Sequence, residues 1–273
     1  MKRLLFCALL CAGCQPASLD SFLYAPLAAP PGGYQLSTAV IPSWQSLTIS
    51  TSDGEKLDAI FIPGAGSRSD VTLIYFHGQD TNIGTAWQRI EYLYPLGYNL
   101  FVFDYRGFGK STGTPSEPGI RLDEEAIRAA LVVMTGVNPQ KLIYYGRSFG
   151  GAPCIDLASI ANPAVLMTES PFTSVQALVA DGADFDLPVG FVARSRWDNL
   201  AKIPHVPAPY LALHGAADDY VQPKYSVELT QAHPGVTRLE LVPGADHSDV
   251  PETMGLDAYR QTLSDFVDAA LPP

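Results

Sequence analysis

Cysteine is nearly missing from the body of this chain. Three of the four cysteines lie in the first fourteen residues, and only Cys154 follows them. Processing of that amino-terminal segment would leave no partner for an intrachain disulfide. Cys154 falls among apolar residues of a predicted helix, where a buried and unreactive thiol is expected. With no histidine pair at metal-ligand spacing, the sequence argues against a zinc or iron–sulfur site, and we expect no metal and no cofactor.

Basic residues are also scarce. The 273-residue chain has 17 lysines and arginines against 28 acidic residues, which gives a formal net charge of -11. No basic cluster is available to neutralise a run of phosphates, so a nucleic-acid-binding function is not expected. The same charge argues against electrostatic attraction to anionic lipid surfaces.

The first apolar run, residues 4–12, is too short to span a bilayer as a helix. It follows Lys2 and Arg3 and precedes Gly13 and Cys14, which predicts a signal peptide over residues 1–13. The pair Gly13-Cys14 resembles the cleavage and lipidation site of bacterial lipoproteins, although Cys11 stands where that signal usually has leucine. We expect export and membrane anchoring through a lipid on Cys14, with secretion as a soluble protein as the alternative.

Residues 14–42 are rich in proline, alanine and glycine and predict a tether that leads into a domain over residues 43–273. Within the tether, the stretch SFLYAP is apolar enough to pack onto the domain.

Beyond the tether, strand and helix patterns alternate. SLTIST and KLDAIFIP flank the turn signal Ser52-Asp53-Gly54 and predict an antiparallel hairpin. Further strands are predicted at 71–76, 98–104, 141–146, 164–170, 209–215 and 238–244, and helices at 85–97, 121–136, from 149, at 224–233 and at 254–271. The pattern predicts an α/β fold with a mostly parallel, doubly wound sheet. A short cap region, residues 170–209, interrupts the alternation and is expected above the carboxyl edge of the sheet, where such sheets bind ligands.

The stretch YYGRSFGG places Ser148 between Gly146 and Gly150, after a predicted strand and before a predicted helix. A sharp strand-to-helix turn requires small neighbours and holds its central residue in a strained conformation. This context predicts a nucleophile elbow with Ser148 as the nucleophile.

Two later strands are each followed by a residue that such a serine needs. Asp218 follows LALHG, and His247 follows LELVPG. His247 is predicted to be the general base and Asp218 the acid that orients it. Asp219 and Glu169 are alternatives for the acid, whereas Asp246 is interpreted as a loop-forming residue.

These motifs, with YFHGQD, DYRGFGKSTG and ESPFTS, resemble the α/β-hydrolase superfamily over residues 22–272. The chain is most similar to the single-domain serine esterase and thioesterase-like branch with a short cap. The resemblance implies an oxyanion hole formed by the backbone amides of Gln79 and Phe149. It also implies a structural role for His77, and His214 is expected to support its loop in the same way.

The resemblance implies a serine hydrolase acting on small carboxylic esters or thioesters. Amide cleavage is an alternative, as is a non-catalytic binding lipoprotein built on the same fold. Apolar residues of the cap are interpreted either as walls of an acyl pocket or as ordinary core; these are Phe172, Leu178, Phe185, Leu187, Phe191 and Trp197.

Overall fold

The computed structural model describes residues 19–181 and 194–271. The predicted signal peptide and Cys14 lie outside the described residues, as do Phe185, Leu187 and Phe191 of the cap. The described part contains one eight-stranded sheet with strand order β1-β2-β4-β3-β5-β6-β7-β8. The strands are β1 (Gln45–Ser50), β2 (Lys56–Ile62), β3 (Thr72–Phe76), β4 (Asn99–Phe103), β5 (Leu142–Arg147), β6 (Val165–Glu169), β7 (Tyr210–Gly215) and β8 (Thr237–Val242).

Strand direction confirms the predicted fold class. β1 pairs antiparallel with β2, and β2 pairs antiparallel with β4. From β4 across to β8 every pairing is parallel. The carboxyl ends of these parallel strands therefore meet along one edge of the sheet, where the loops that follow them lie close together.

Helices cover both faces of this sheet. The described residues contain α1 (Leu19–Tyr24), α2 (Ile83–Leu93), α3 (Glu117–Val133), α4 (Gly151–Ile160), α5 (Val175–Asp181), α6 (Asn199–Lys202), α7 (Lys224–Ala232), α8 (Val250–Met254) and α9 (Leu256–Ala270). Helix α3 begins four residues before its predicted start, because Ser116 caps it by accepting from the Gly119 amide and Pro118 occupies its first turn. No helix in the described ranges is both long and apolar enough to cross a membrane.

The core consists of two apolar clusters, one on each face of the sheet. Successive residues of β3 alternate between them: Ile74 and Phe76 belong to one cluster, and Leu73 and Tyr75 to the other. All five residues of β3 are buried. This explains why its sequence is a continuous apolar run rather than an alternation, as expected for a strand covered on both faces.

The amino-terminal segment is part of the packed domain. Tyr24 is only 1% exposed, and its ring packs edge-on against Phe149 with centroids 5.4 Å apart. Its hydroxyl lies 2.6 Å from Ser195 Oγ and accepts a hydrogen bond from the Trp197 indole. At least part of the predicted tether, the stretch that contains Tyr24, therefore packs against the domain. Proline, alanine and glycine suit a segment that packs irregularly as well as a flexible linker, so composition did not separate the two.

Replacing Tyr24 with alanine is expected to destabilise the protein by about 3–5 kcal/mol, the usual cost of deleting a buried aromatic ring. A tether would tolerate the change. Urea unfolding of the variant gives the free energy directly. Val40→Ala, at a side chain that is 42% exposed, is the control and should change the free energy of unfolding by less than about 0.5 kcal/mol. Equal stabilities for the two variants would contradict the packing described for Tyr24.

Candidate active site

Ser148 occupies a sharp turn between a strand and a helix. β5 ends at Arg147, residues Ser148–Gly150 form a single 3₁₀ turn, and α4 follows directly. Ser148 has φ of +52°, in the left-handed region that residues with a Cβ rarely adopt. Strained backbone of this kind persists only where the surroundings enforce it, and it is concentrated at functional sites.

Two glycines make this turn possible because backbone passes too close for any side chain. A Cβ on Gly150 would lie 2.1 Å from the carbonyl oxygen of Phe76, at the end of β3. A Cβ on Gly146 would lie 2.4 Å from the carbonyl oxygen of Gly150. The backbone of the turn therefore packs closely on its own residues at Gly146 and on the end of β3 at Gly150.

The structure brings Ser148, His247 and Asp218 into one chain of hydrogen bonds. Ser148 Oγ lies 2.8 Å from His247 Nε2, and His247 Nδ1 lies 2.8 Å from Asp218 Oδ2. His247 is carried by the loop after β8, and Asp218 by the loop after β7. With Asp218 ionised, Nδ1–H donates to the carboxylate and Nε2 is left to accept the serine proton.

Asp218 is buried and held at both carboxylate oxygens. Oδ1 accepts from the amides of Val221 at 2.8 Å and Tyr220 at 3.1 Å, and His214 Nε2 lies 3.2 Å from Oδ2. Burial by itself raises the pKa of Asp218, but hydrogen bonds from His214 and His247 outweigh it and hold the pKa well below its usual range. The carboxylate is therefore ionised at neutral pH.

His214 supports the loop that carries Asp218. Its ring is completely buried, with Nε2 2.7 Å from the Val221 carbonyl oxygen and Nδ1 2.6 Å from Ser226 Oγ. The carbonyl can only accept, so Nε2 carries the proton and Nδ1 accepts from the serine hydroxyl. The ring thus links the loop, at Val221, to α7, at Ser226.

The other carboxylates considered from the sequence have different surroundings. Asp219 is exposed, and Asp246 accepts a hydrogen bond from the backbone amide of His247 rather than from its ring. Glu169 is buried and accepts from the Tyr145 hydroxyl at 2.7 Å. In the described part of the chain, Asp218 is the carboxylate that is bonded to the His247 ring.

The loop after β3, which contains Gln79, lies against Ser148. A Cβ on Gly78 would be 3.6 Å from Ser148 Cβ. His77, fully buried, places Nδ1 2.8 Å from the Gly78 carbonyl oxygen. In a trans peptide the carbonyl and the following N–H point in opposite directions. His77 therefore fixes the direction of the Gln79 N–H.

The two backbone amides expected to form the oxyanion hole belong to the segments around Ser148: Phe149 follows it directly in sequence, and Gln79 follows Gly78 of the adjoining loop. Among the described residues, neither the Gln79 nor the Phe149 amide donates to a turn or loop carbonyl. The Gln79 side chain is engaged separately, with Nε2 donating to the Tyr220 hydroxyl at 2.6 Å.

A narrow apolar pocket adjoins Ser148. Phe172 and Leu178, predicted for its wall, line it together with Val175 of α5. Trp197 belongs to the core instead: it is fully buried and packs edge-on against Phe149, with centroids 5.9 Å apart. Phe149 lines the pocket and separates Trp197 from it.

The sequence interpretation missed several pocket residues, two of which belong to α1. Phe22 and Leu23 of α1 line the pocket, and Leu23 is 6% exposed whereas Phe22 is 43% exposed at the mouth. Both lie in the segment predicted as a tether. The apolar stretch SFLYAP was the signal that pointed to packing, but nothing in it indicated which surface it would cover.

A second cleft, polar in character, lies on the other side of Ser148. His247, Asp80, Arg147, Asp219 and Asp246 line it. Gln79, Ser148 and Tyr220 line both cavities. The serine hydroxyl therefore stands at the junction between an apolar space and a polar one.

Comparisons with known proteins agree with this fold. Residues 71–190 match the family model described as alpha/beta hydrolase fold. The chain is 32% identical over 250 residues to the uncharacterized protein Rv2307c of Mycobacterium tuberculosis. The aligned region covers 89% of this chain and 86% of that protein. It is 30% identical over 240 residues to the uncharacterized protein YfhR of Escherichia coli K12, with 85% and 83% covered. The structure resembles the esterase Pf2001 of Pyrococcus furiosus with a TM-score of 0.70 and 19% identity, over 91% of this chain and 98% of that one. On this evidence the chain belongs to the α/β-hydrolase superfamily.

Proposed function

We propose that this protein is a serine hydrolase that cleaves carboxylic ester or thioester bonds through an acyl-enzyme intermediate. The observation that carries the proposal is the unbroken chain of hydrogen bonds from Ser148 Oγ through His247 to Asp218, at 2.8 Å for each link. Membership of the α/β-hydrolase superfamily and the likeness to an esterase support hydrolase activity in general.

Acylation would begin at Ser148. His247 Nε2 takes the proton from Oγ as Oγ bonds to the acyl carbon, and the positive charge on the ring is stabilised by the ionised Asp218. The carbonyl oxygen becomes an oxyanion, to which the amides of Gln79 and Phe149 donate. Removing one such donor typically costs about 10²–10³-fold in rate.

Collapse of the intermediate would use the same histidine as an acid. His247 returns its proton to the leaving alkoxide or thiolate as the bond from that group to the acyl carbon breaks. Water then enters, gives a proton to His247 as its oxygen attacks the acyl carbon, and Ser148 is released with the proton restored.

The two cavities favour one orientation of the substrate. A leaving group must lie near His247 to receive its proton, and His247 lines the polar cleft. The acyl group then faces the apolar pocket, whose lining residues are described above. An apolar acyl group joined to a polar alcohol or thiol fits this arrangement best.

A fluorophosphonate probe and a chromogenic substrate panel test the proposal together. The folded protein is expected to form a covalent adduct on Ser148 and to hydrolyse acyl esters of graded chain length. Matched thioesters and amides in the panel establish which bond is preferred; turnover of amides alone would favour a peptidase. Absence of both adduct and turnover, under conditions where other serine hydrolases react, would favour a binding protein that retains the fold.

A further inference from the structure

Glu169, at the end of β6, is a buried carboxylate that the proposed reaction does not use. It is 1% exposed and lies opposite Arg147 in the register of β5 and β6. Its Oε1 lies 3.2 Å from Arg89 Nη1 and 3.4 Å from Arg147 Nε. Burial raises the pKa of Glu169. The two guanidinium groups and the hydrogen bond from the Tyr145 hydroxyl lower it by more than burial raises it, so the pKa lies below its usual value. Glu169 is thus a fixed negative charge between two arginines.

Both arginines extend from Glu169 to the loop that carries His247. Arg147 Nη2 lies 3.2 Å from Ser248 Oγ and 3.5 Å from the His247 carbonyl oxygen. Arg89 donates to the carbonyl oxygen of Ser248. Ser248, directly after His247, is therefore held at its side chain by Arg147 and at its backbone carbonyl by Arg89.

Arg147 also contacts the loop on the other side of Ser148. A Cβ on Gly78 would lie 3.4 Å from Arg147 Nη1, so the guanidinium group lies against the peptide that precedes the Gln79 amide. One side chain, next to Ser148 in sequence, touches both the loop of the predicted base and the loop of a predicted oxyanion donor.

We propose that Glu169, Arg89 and Arg147 form a positioning cluster that holds His247 in line with Ser148; this rests on the proposed hydrolase function. Reacting groups must be held to within about 0.5 Å of the productive geometry. A misplacement of about 1 Å can cost about 10²-fold in rate. The cluster acts through the His247 loop and does not itself touch the reacting atoms.

Arg147→Met tests the positioning role, because methionine keeps much of the length and loses the charge and the donors. We expect kcat for an acyl ester to fall by about 10–100-fold, while KM stays within about twofold. Arg68→Met is the matched control: Arg68 is 15% exposed against 16% for Arg147, and it likewise pairs with a carboxylate, Asp268, and donates to a backbone carbonyl, that of Leu271. It is expected to lose stability but to keep kcat.

Two further variants distinguish positioning from folding. Arg147→Lys keeps the positive charge beside Glu169, but its single side-chain nitrogen cannot bridge Glu169 and Ser248. We expect kcat of this variant to fall by about tenfold. It provides the test if the methionine variant does not fold. In Arg147→Ala, added guanidinium ions at low millimolar concentration should restore part of kcat, with no such effect on Arg68→Ala. The positioning role is overturned if the folded lysine variant keeps the kcat of Arg68→Met, or if guanidinium restores nothing. Wild-type turnover and probe labelling are measured in parallel, so failure of the hydrolase function would be seen separately.

Discussion

Ser148→Ala is expected to reduce kcat/KM for an acyl ester by about 10⁴–10⁶-fold and to abolish labelling by a fluorophosphonate. The hydroxyl oxygen of Ser148 is the atom that would form the acyl bond. The other two residues of the hydrogen-bonded series, His247 and Asp218, are assigned other roles and would not replace it. The binding pocket is unchanged by the loss of one oxygen, so KM should move little. Steady-state kinetics with the best ester of the panel, and mass spectrometry of the probe adduct, measure the two effects.

Ser148→Gly serves as the partner variant, because the backbone here has φ of +52°. Glycine adopts this conformation without strain, so the variant should lose activity as completely as alanine does. It should also unfold at a higher denaturant concentration, since the strain relieved is of the order of 1–3 kcal/mol. Residual turnover within tenfold of wild type in either variant would remove Ser148 from the reaction.

Asp218→Asn is expected to lower kcat by about 10⁴-fold with little change in structure. An amide can donate to His247 Nδ1, which leaves the ring with its proton on Nε2 and unable to accept from Ser148. The effect should persist at every pH where the fold survives, because the pKa of Asp218 in the native protein lies well below its usual range. Kinetics across pH 6–9 would show a uniformly depressed profile.

Asp257→Asn is the control: Asp257 is fully exposed on α9 and lines neither cavity, so kcat should stay within about twofold, as it usually does for surface changes. Asp219→Asn, at an exposed residue of the polar cleft, should lower kcat far less than Asp218→Asn does. The Glu169→Gln variant separates the remaining alternative. If Asp218→Asn keeps near-full activity while Asp219→Asn or Glu169→Gln abolishes it, the assignment of the acid is wrong.

The fold was predictable because its signals are local and agree with one another. Apolar runs such as residues 71–76 indicate strands buried on both faces, and the turn at residues 52–54 indicates a hairpin; the sheet has both features. Once parallel strands are predicted, topology requires that the loops after β5, β7 and β8 meet at one edge. That Ser148, Asp218 and His247 lie along the same edge of the sheet therefore follows from the order of elements, whereas their hydrogen bonds to one another are known from the structure.

What sequence could not supply were contacts that depend on tertiary packing. The ring of Tyr24 meets Phe149 across more than a hundred residues, and no periodic pattern marks such a pair. The same is true of Arg89, which lies on α2 and reaches Ser248 in the loop after β8. An apolar residue in the cap, such as Trp197, is a reasonable candidate for the pocket wall on sequence alone. The packing shows that Phe149 lies between Trp197 and the pocket.

The docking of α1 has a practical consequence for how the protein is produced. Recombinant versions trimmed to residue 43, where composition suggests a boundary, would delete Phe22 and Leu23 from the pocket and would also remove the Tyr24 ring that packs against Phe149. Binding or activity measured on such a shortened protein would therefore describe a cavity that is wider and more open to water than the native one.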